Sequence, residues 1–244
     1  MENKRIIVGN LKMNMVASDI NNYLKEVNKK INNSDVVICP SSLYIPYFLK
    51  QKYEVGIQNI ASAENGAHTG EISASQASSL GVKYAIIGHS ERRQMYGDTD
   101  LLINKKVKLA LANNLIPIIC VGETNEDKVM FRTEKVINKQ ITYALRDLSK
   151  EDMEKVIIAY EPVWAIGTNV IPTNSDIKNA VSYIKALINT ITQYNDAKVL
   201  YGGSVNKKNV SQLIKINEVD GFLIGGASLK PDEFSEIIEV AVPK

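Results

Sequence analysis

Residues 155–162 read KVIIAYEP, a β-branched run that ends abruptly in a glutamate and a proline. Seven other segments are apolar runs of strand length, and almost all of them end in polar or glycine residues. In chain order the eight runs are RIIVGN (5–10), DVVICP (35–40), YEVGIQN (53–59), VKYAIIGHS (82–90), IPIICVGE (116–123), KVIIAYEP (155–162), KVLYGGS (198–204) and VDGFLIGG (219–226). Because the runs are continuous rather than alternating, they predict strands that are buried on both faces.

The segments between these runs have the apolar spacing of helices. The clearest examples are Leu101, Val107, Ala110 and Leu111 in one segment, and Ile177, Val181, Ile184, Ile188 and Ile191 in another. Strand and helix therefore alternate eight times in 244 residues, which favours parallel strands joined by right-handed crossovers. The pattern predicts an α/β fold in which residues 1–244 form a single-domain (β/α)8 TIM barrel with a closed, eight-stranded parallel sheet. An open, doubly wound parallel sheet is the alternative.

The composition is that of a globular protein, with 45% hydrophobic and 23% charged residues. The 29 Lys and Arg residues nearly balance the 27 Asp and Glu residues, which gives a formal net charge of +2. Because the lysines form no basic run, the charge pattern argues against nucleic acid as the main partner. No stretch approaches the roughly 18 consecutive apolar residues of a membrane span, and the first residues lack the apolar segment of a signal peptide.

Cysteine usage points to a reducing compartment. Cys39 and Cys120 lie inside predicted strands and form no C-x-x-C pair. Buried thiols are the simplest explanation of this placement. We therefore predict a cytoplasmic protein that does not associate with membranes.

Polar or glycine residues end almost every predicted strand. In a (β/α)8 barrel the carboxyl ends of the strands meet on the face that carries the active site. The functional residues are therefore expected among these ends, which are Asn10, Gln58, Asn59, His89, Ser90, Glu123, Glu161, 202–204 and 225–226.

The first strand runs into the segment GNLKMN (9–14). Asn10 at the strand end and Lys12 just beyond it are expected to face the same mouth. They would offer an amide donor and a fixed cation to an anionic substrate. An ordinary solvated lysine is the alternative.

The segment GHSERR (88–93) places His89 at the end of the fourth strand. Ser90 is a favoured N-cap residue, and a helix that begins there would direct its positive end at His89, lower the pKa of the imidazole and keep it neutral. A structural histidine is the alternative. The H-x-E spacing of zinc deaminases occurs without their P-C-x-x-C segment, so no metal site is predicted.

Glu161 ends the sixth apolar run. Its carboxylate is expected to stand partly desolvated above an apolar strand and beneath Trp164, which would raise its pKa toward that of a general base. Pro162 restricts the chain immediately after it. A hydrogen-bonded structural glutamate is the alternative.

The segments YGGSV (201–205) and IGGAS (224–228) end the last two strands. Glycines there let a phosphate approach backbone N–H groups closely, and the loops after strands 7 and 8 are the usual phosphate site of this fold. Paired tight turns are the alternative. No Walker A, G-x-G-x-x-G or G-x-S-x-G motif occurs, so neither a nucleotide cofactor nor a serine nucleophile is indicated.

Six segments in this order resemble the triosephosphate isomerase family. They are GNLKMN, GHSERR, CVGE, AYEPVWAIGT, YGGSV and DGFLIGGASLKP. The resemblance covers nearly the whole chain, including the long third loop QNIASAENGAHTGE (58–71). It implies an isomerase of glycolysis and gluconeogenesis that interconverts dihydroxyacetone phosphate and D-glyceraldehyde 3-phosphate through an enediolate, without a cofactor.

The resemblance also implies roles for individual residues. Glu161 would be the base that moves the proton between two carbons, and His89 would be the neutral electrophile that polarises the carbonyl. Lys12 and Asn10 would stabilise the enediolate. Glu91 would support the lysine.

Binding of the phosphate, the lid and the assembly are implied in the same way. Backbone N–H groups would hold the phosphate at Gly167, Ser204, Gly225 and Gly226. The lid would consist of Pro162, Val163, Trp164, Ala165, Ile166, Gly167, Thr168, Asn169, Val170, Ile171 and Pro172, with residues 165–169 as its tip. The third loop would enter a neighbouring subunit near Thr69 and form a homodimer.

The chain departs from the family's usual pattern at a few positions. Leu11 stands where an aromatic residue is usual, Asp98 where glutamate is usual, and Asn169 where the lid usually has a second glycine. Asparagine is the non-glycine residue that best tolerates positive φ, so Asn169 is expected to keep that geometry. The far hinge VIP (170–172) replaces the commoner KTA, and Pro172 would stiffen it. The reaction is expected to be unaffected, whereas the opening rate of the lid is expected to change.

Two other functions are compatible with the fold. Another phosphate-binding barrel enzyme, such as a sugar-phosphate isomerase of amino-acid biosynthesis, would explain the glycine loops but not the EPVWAIGT segment. A binding or scaffold protein could have kept the fold and lost the chemistry. The intact set of Asn10, Lys12, His89 and Glu161 argues against that second alternative.

Overall fold

The computed structural model describes residues 5–166 and 172–242. Eight parallel strands pair in chain order, and the eighth pairs with the first, so the sheet closes into a barrel. The strands are β1 (Ile6–Asn10), β2 (Val36–Cys39), β3 (Glu54–Ile57), β4 (Tyr84–Ile87), β5 (Ile116–Val121), β6 (Ile157–Tyr160), β7 (Lys198–Tyr201) and β8 (Gly221–Ile224). Each strand lies within one of the eight predicted runs. The predicted closed barrel is therefore confirmed, and the open-sheet alternative is wrong.

Helices connect successive strands and surround the barrel. Those in the described residues are α1 (Ala17–Lys30), α2 (Ile45–Phe48), α3 (Ala74–Ser79), α4 (Ser90–Met95), α5 (Asp100–Ala112), α6 (Asn125–Val129), α7 (Thr133–Ala144), α8 (Lys150–Met153), α9 (Asn174–Thr192), α10 (Val210–Leu213) and α11 (Pro231–Ala241). Short 3-10 helices lie at Ser42–Tyr44, Val163–Ala165 and Gly226–Leu229. The two segments with the clearest helical spacing form α5 and α9. Within residues 5–166 and 172–242, no helix is long and apolar enough to cross a membrane.

The strands are buried on both faces, which explains why their sequences are apolar without alternation. In β1, Ile7 packs into the larger core that the helices cover, whereas Val8 belongs to a smaller cluster made of strand residues. That smaller cluster fills the barrel and contains both Cys39 and Cys120. The two thiols are free and buried, as the sequence predicts.

Helix starts fix the loops that surround the carboxyl ends of the strands. At the start of α9, the Thr173 hydroxyl accepts the Asp176 N–H, and Asp176 accepts the Thr173 N–H in return. This capping box satisfies backbone donors that have no partner within the helix. It also anchors the chain directly after the predicted lid.

Candidate active site

The carboxyl ends of the strands enclose a cavity of about 350 Å³. Its lining includes most of the residues that the sequence nominates, from the loops after β1, β4, β6, β7 and β8. They are Asn10, Lys12, His89, Glu161, Ser204, Gly225 and Gly226. The structure therefore brings together residues that are more than two hundred positions apart. Gly167 lies outside the described residues.

His89 and Glu161 face each other at the bottom of this cavity. His89 Nε2 lies 3.1 Å from Glu161 Oε1, and both side chains are buried. The other carboxylate oxygen of Glu161 accepts the backbone N–H of Ser90 at 3.1 Å. Each oxygen of the carboxylate therefore has a donor.

The helix α4 begins at Ser90, as predicted, but its N-cap is His89 rather than Ser90. The Nδ1 atom of His89 accepts the backbone N–H of Glu91 at 3.2 Å. An imidazole nitrogen that accepts a hydrogen bond carries no proton, so the proton of the neutral ring lies on Nε2. Nε2 is the atom that faces Glu161 and the cavity.

Glu161 is only 2% exposed, so burial acts strongly on its carboxylate. Burial raises the pKa of Glu161, but the facing His89, the Ser90 N–H and Lys12 together lower it further than burial raises it. The net pKa lies below the ordinary value for glutamate. The expectation of a raised pKa is therefore wrong for the ligand-free protein.

The predicted neighbour of Glu161 also needs correction. The indole N–H of Trp164 donates to Glu123 Oε1 at 2.7 Å. The polar partners on Glu161 come instead from α4 and its N-cap.

The pKa of His89 is shifted in the opposite direction to the one predicted. Burial lowers it, but the charge of Glu161, the hydrogen bond between the two side chains and the charge of Glu91 raise it more. The net pKa of the imidazole therefore lies above its ordinary value. The expected influence of the helix N-terminus is present as the hydrogen bond to Nδ1, but Glu161 outweighs it while the two side chains are in contact.

Lys12 is held in a backbone conformation that is unusual for a residue with a side chain, with φ at 50°. The Oδ1 atom of Asn10 accepts the Lys12 N–H at 3.0 Å, and the Gln58 amide donates to the Lys12 carbonyl at 2.9 Å. Such strained residues persist where the surroundings over-determine them, and they cluster at functional sites. The ammonium group of Lys12 forms an ion pair with Glu91. The predicted contact between these two residues is present.

The two glycines of the pair after β8 meet the cavity in different ways. A Cβ atom at Gly226 would meet nothing within 4 Å, whereas a Cβ at Gly225 would lie 3.3 Å from Lys12 Cε. The first position is open to a ligand, and the second brings backbone close to the lysine. Ser204 donates its hydroxyl to the Ala165 carbonyl at 3.0 Å, which ties the loop after β7 to the start of the predicted lid.

Comparison with known proteins assigns the chain to a family. A family model described as triosephosphate isomerase matches residues 5–241. The chain belongs to the triosephosphate isomerase family. Proteins named triosephosphate isomerase from Clostridium botulinum (strain Langeland) and Dictyoglomus thermophilum are 43% and 41% identical to it. The first alignment spans 242 residues and covers 96% of this chain and 98% of the relative, and the second spans 246 residues and covers 97% and 99%. A protein of the same name from Francisella philomiragia is 40% identical over 98% of this chain and 97% of its own length.

The lid expected from the triosephosphate isomerase family is described only at its two ends. Pro162 is buried, and Val163–Ala165 forms a 3-10 helix. Ile166 lines the cavity, and Pro172 is buried before α9 begins. The expectations for Gly167, Thr168, Asn169, Val170 and Ile171 fall outside the described residues.

Asp98 departs from the family's usual glutamate and lies in a buried network of charges. Lys106 donates to both oxygens of Asp98, at 2.9 and 2.8 Å, and to the Asn59 side chain at 2.9 Å. Arg92 donates to Asp98 at 3.0 Å. The shorter side chain of Asp98 therefore has close cationic partners, and the network reaches the start of the third loop at Asn59.

The third loop, whose tip includes Thr69, is exposed in the single chain. The loop is held to the start of α3, because Asn65 accepts hydrogen bonds from the hydroxyls of Ser73 and Ser75. A second cavity of about 370 Å³ adjoins Lys12 and Glu91, and Met13 lies at its edge with 91% of its surface exposed.

Several residues of the site were not assigned roles from the sequence. Gln58 and Glu123 stand at strand ends, which is a usable signal, but their roles depend on which backbone and indole groups they meet. Lys230 lines the cavity from the segment before α11 and had no signal of this kind. Among the described residues, no group of three or more His, Cys, Asp and Glu could hold a metal ion.

Proposed function

We propose that this chain interconverts dihydroxyacetone phosphate and D-glyceraldehyde 3-phosphate. The observation that carries the proposal is the convergence of Glu161, His89 and Lys12 on one cavity at the carboxyl ends of the strands. A carboxylate, an imidazole N–H and an ammonium group are the groups that a proton transfer next to a carbonyl requires. Membership of the triosephosphate isomerase family supports the same reaction.

Glu161 is the proposed base. Its carboxylate removes a proton from the hydroxyl-bearing carbon of dihydroxyacetone phosphate, and the electron pair of that C–H bond forms the double bond of an enediolate. The protonated Glu161 then returns the proton to the neighbouring carbon, while a proton moves between the two oxygens. The lowered pKa keeps the carboxylate ionised, and the charge of His89, which is the main cause that lowers it, acts less once the substrate separates the two side chains.

His89 is the proposed electrophile. Its Nε2–H points at Glu161 in the ligand-free protein, so the substrate must enter between the two side chains. Once they separate, the main cause of the raised pKa of His89 is lost, whereas the Glu91 N–H still donates to Nδ1. Both effects favour a neutral imidazole that donates from Nε2 to the substrate oxygens.

Lys12 and Asn10 are the proposed partners of the developing negative charge. Preorganised donors act most strongly when they cannot relax away from that charge. Lys12 meets this condition, because its backbone is clamped by Asn10 and Gln58. Glu91 holds the ammonium group until the substrate enters.

The proposed phosphate site is formed by Ser204, Gly225 and Gly226, together with Gly167 of the lid. The open space at Gly226 supports this assignment. Closure of the lid, residues 162–172, would exclude water and protect the enediolate from loss of phosphate.

We also propose a homodimer in the cytoplasm. The exposed third loop near Thr69 and the second cavity beside Lys12 support an arrangement in which each subunit inserts this loop beside its partner's site. Two free, buried thiols and a role in glycolysis support a reducing compartment.

The replacement of Glu161 by glutamine tests the proposed reaction. We expect turnover of D-glyceraldehyde 3-phosphate in a coupled assay to fall by about a thousandfold, which is the scale of a lost general base. Binding of 2-phosphoglycolate, measured by calorimetry, should persist because the residues proposed to bind its phosphate do not include Glu161. Glu26→Gln makes the same change at a half-buried position of α1, where the carboxylate pairs with Lys29 away from the cavity, and should leave turnover intact. Near-normal turnover in Glu161→Gln would refute the proposal, and preference for a larger sugar phosphate in a substrate panel would favour the other barrel enzyme.

A further inference from the structure

The ammonium group of Lys128 lies over the ring of Trp164, at the first hinge of the lid. The distance from Nζ to the ring centroid is 3.4 Å, which is a close cation–π contact. The edge of the same indole donates to Glu123 at 2.7 Å. Lys128 belongs to α6 and Glu123 lies two residues after the end of β5, so one connection holds both the face and the edge of the ring.

The same ammonium group also reaches the far end of the lid. Lys128 Nζ lies 3.9 Å from Asp176 Oδ2. That oxygen accepts the backbone N–H of Thr173 at 3.0 Å and the Thr173 hydroxyl at 2.8 Å. Asp176 therefore fixes the point at which the lid joins α9, and Lys128 contacts the groups that hold each end.

Packing leaves space beside the indole, and the side chains around that space are mostly charged or polar. A cavity of about 190 Å³ adjoins Trp164 between α7 and α9. Its described lining contains the carboxylates of Glu123, Glu134 and Asp176, with Lys128 as the lysine among them. Burial raises the pKa of Glu123, while Trp164, Tyr160 and Lys128 lower it and oppose that effect. Without Lys128 the indole would face three carboxylates and no ammonium group in this lining.

We propose that Lys128 is a positioning residue that links the two hinges of the lid. Its cation holds Trp164 against Glu123 and, through Asp176, ties that hinge to the start of α9. The two ends of the lid then move as one unit. An effect of Lys128 on turnover rests on the proposed isomerisation, whereas the link that Lys128 makes between Trp164 and Asp176 does not.

The link can be measured in the ligand-free protein, because Trp164 is the only tryptophan in the chain. Lys128→Met keeps the length of the side chain but removes its charge, and we expect acrylamide quenching of Trp164 fluorescence to rise about twofold. Lys128→Arg keeps the cation over the ring and should restore the quenching of the unchanged protein. Lys139→Met is the matched control, since Lys139 loses an ion pair of the same length, 3.9 Å to Asp100, away from the indole. It should leave quenching unaltered.

A double-mutant cycle tests the connection to the far hinge. Asp176→Asn removes the charge but keeps an oxygen that can cap α9. It should increase quenching, and the double variant with Lys128→Met should show no more quenching than Lys128→Met alone. Additive effects, or normal quenching in Lys128→Met, would overturn the proposal.

Turnover provides the functional readout. We expect Lys128→Met to lower kcat for triose phosphate about three- to fivefold and to increase release of methylglyoxal, with Lys128→Arg close to normal. Unchanged kcat and methylglyoxal release in Lys128→Met would show that the link does not serve the lid. If the unchanged protein did not isomerise triose phosphate, the proposed function would fail, while the quenching experiments would still decide the link.

Discussion

Gly202 offers the sharpest test of how the carboxylate of Glu161 is positioned. Its N–H donates to the Tyr160 carbonyl at 2.8 Å, so it continues the pairing of β7 with β6. A Cβ atom at this position would lie 2.8 Å from Glu161 Cγ and 3.6 Å from Glu161 Oε1. The backbone at Gly202 is outside the left-handed region, so alanine could adopt its conformation. The effect of Gly202→Ala is therefore a steric push on the side chain of the base.

The size of the effect follows from the overlap. Carbon atoms approach comfortably to about 3.5 Å, so the added methyl would displace Glu161 Cγ by about 0.7 Å unless the backbone moved. Glu161 has little room for such a displacement, since its side chain is buried and each carboxylate oxygen contacts a donor. Misplacement of a reacting group by about 1 Å can lower the rate about a hundredfold. We therefore expect kcat to fall about ten- to fiftyfold, with KM changed by less than about threefold.

Steady-state kinetics in both directions, with thermal unfolding as a parallel measurement, would test this expectation. Gly56→Ala is the control, because its Cβ would lie 2.5 Å from Cys39 Sγ and would overpack the barrel interior without pushing on Glu161. Both variants should lose about 1–3 kcal/mol of stability, but only Gly202→Ala should lose kcat. A kcat within twofold of the unchanged protein, or an equal loss in the control, would refute the reasoning.

Three further outcomes are expected. Glu161→Gln should lower the pKa of His89, because the charge that opposes the effect of burial is removed. A titration followed by nitrogen NMR would show this, with the chain's other histidine as the reference. An unchanged titration of His89 would contradict the expectation. Lys106→Met should reduce the free energy of unfolding, measured in urea, by about 3 kcal/mol, since Asp98 loses its closest buried partner. Lys108→Met, on the surface of α5, should reduce it by less than about 1 kcal/mol. Equal losses would argue against a stabilising role for the charges around Asp98. Deletion of the lid tip, residues 165–169, should release methylglyoxal from the bound intermediate, and clean isomerisation by that variant would contradict the role of the lid.

The barrel could be predicted from the sequence because its strands are buried on both faces. The run IPIICVGE (116–123), for example, contains β5 at Ile116–Val121 and ends two residues after the strand. A polar residue directly after such a run must lie on the functional face. By that rule the sequence nominates Asn10, His89 and Glu161, and all three line one cavity.

The electrostatic state of the site could not be predicted in the same way. The pKa shifts of His89 and Glu161 depend on a distance of 3.1 Å between residues from different strands. The sequence predicts a lowered pKa for His89 from the start of a helix and a raised pKa for Glu161 from desolvation, and burial alone moves each pKa in the predicted direction. Mutual contact reverses both directions. The cation over Trp164 is a similar case, because nothing in the sequence around Lys128 indicates an aromatic partner.

Backbone hydrogen bonds between the segments that follow β5 and β6 fix the backbone of Glu161, the proposed base, and of Val163 in the proposed first hinge. The Glu161 N–H donates to the Val121 carbonyl at 2.7 Å, and the Val163 N–H donates to the Glu123 carbonyl at 3.0 Å. The pairing of β5 with β6 therefore extends past the ends of both strands, across Pro162. Proline fixes φ without interrupting these bonds, since neither of them needs its missing N–H.

This pairing separates the chemistry of the site from the motion of the lid. The backbone of Gly122 lies very close to that of Glu161. A Cβ atom at Gly122 would be 1.8 Å from the Glu161 carbonyl oxygen, so the backbone of Glu161 cannot shift toward β5. In the proposed mechanism the side chain of Glu161 rotates away from His89 while its backbone stays in place. Movement of the proposed lid is therefore expected to begin after Val163, at the indole that contacts Glu123 and Lys128. A stiffer far hinge at Pro172 would therefore change how often the lid opens without moving the base.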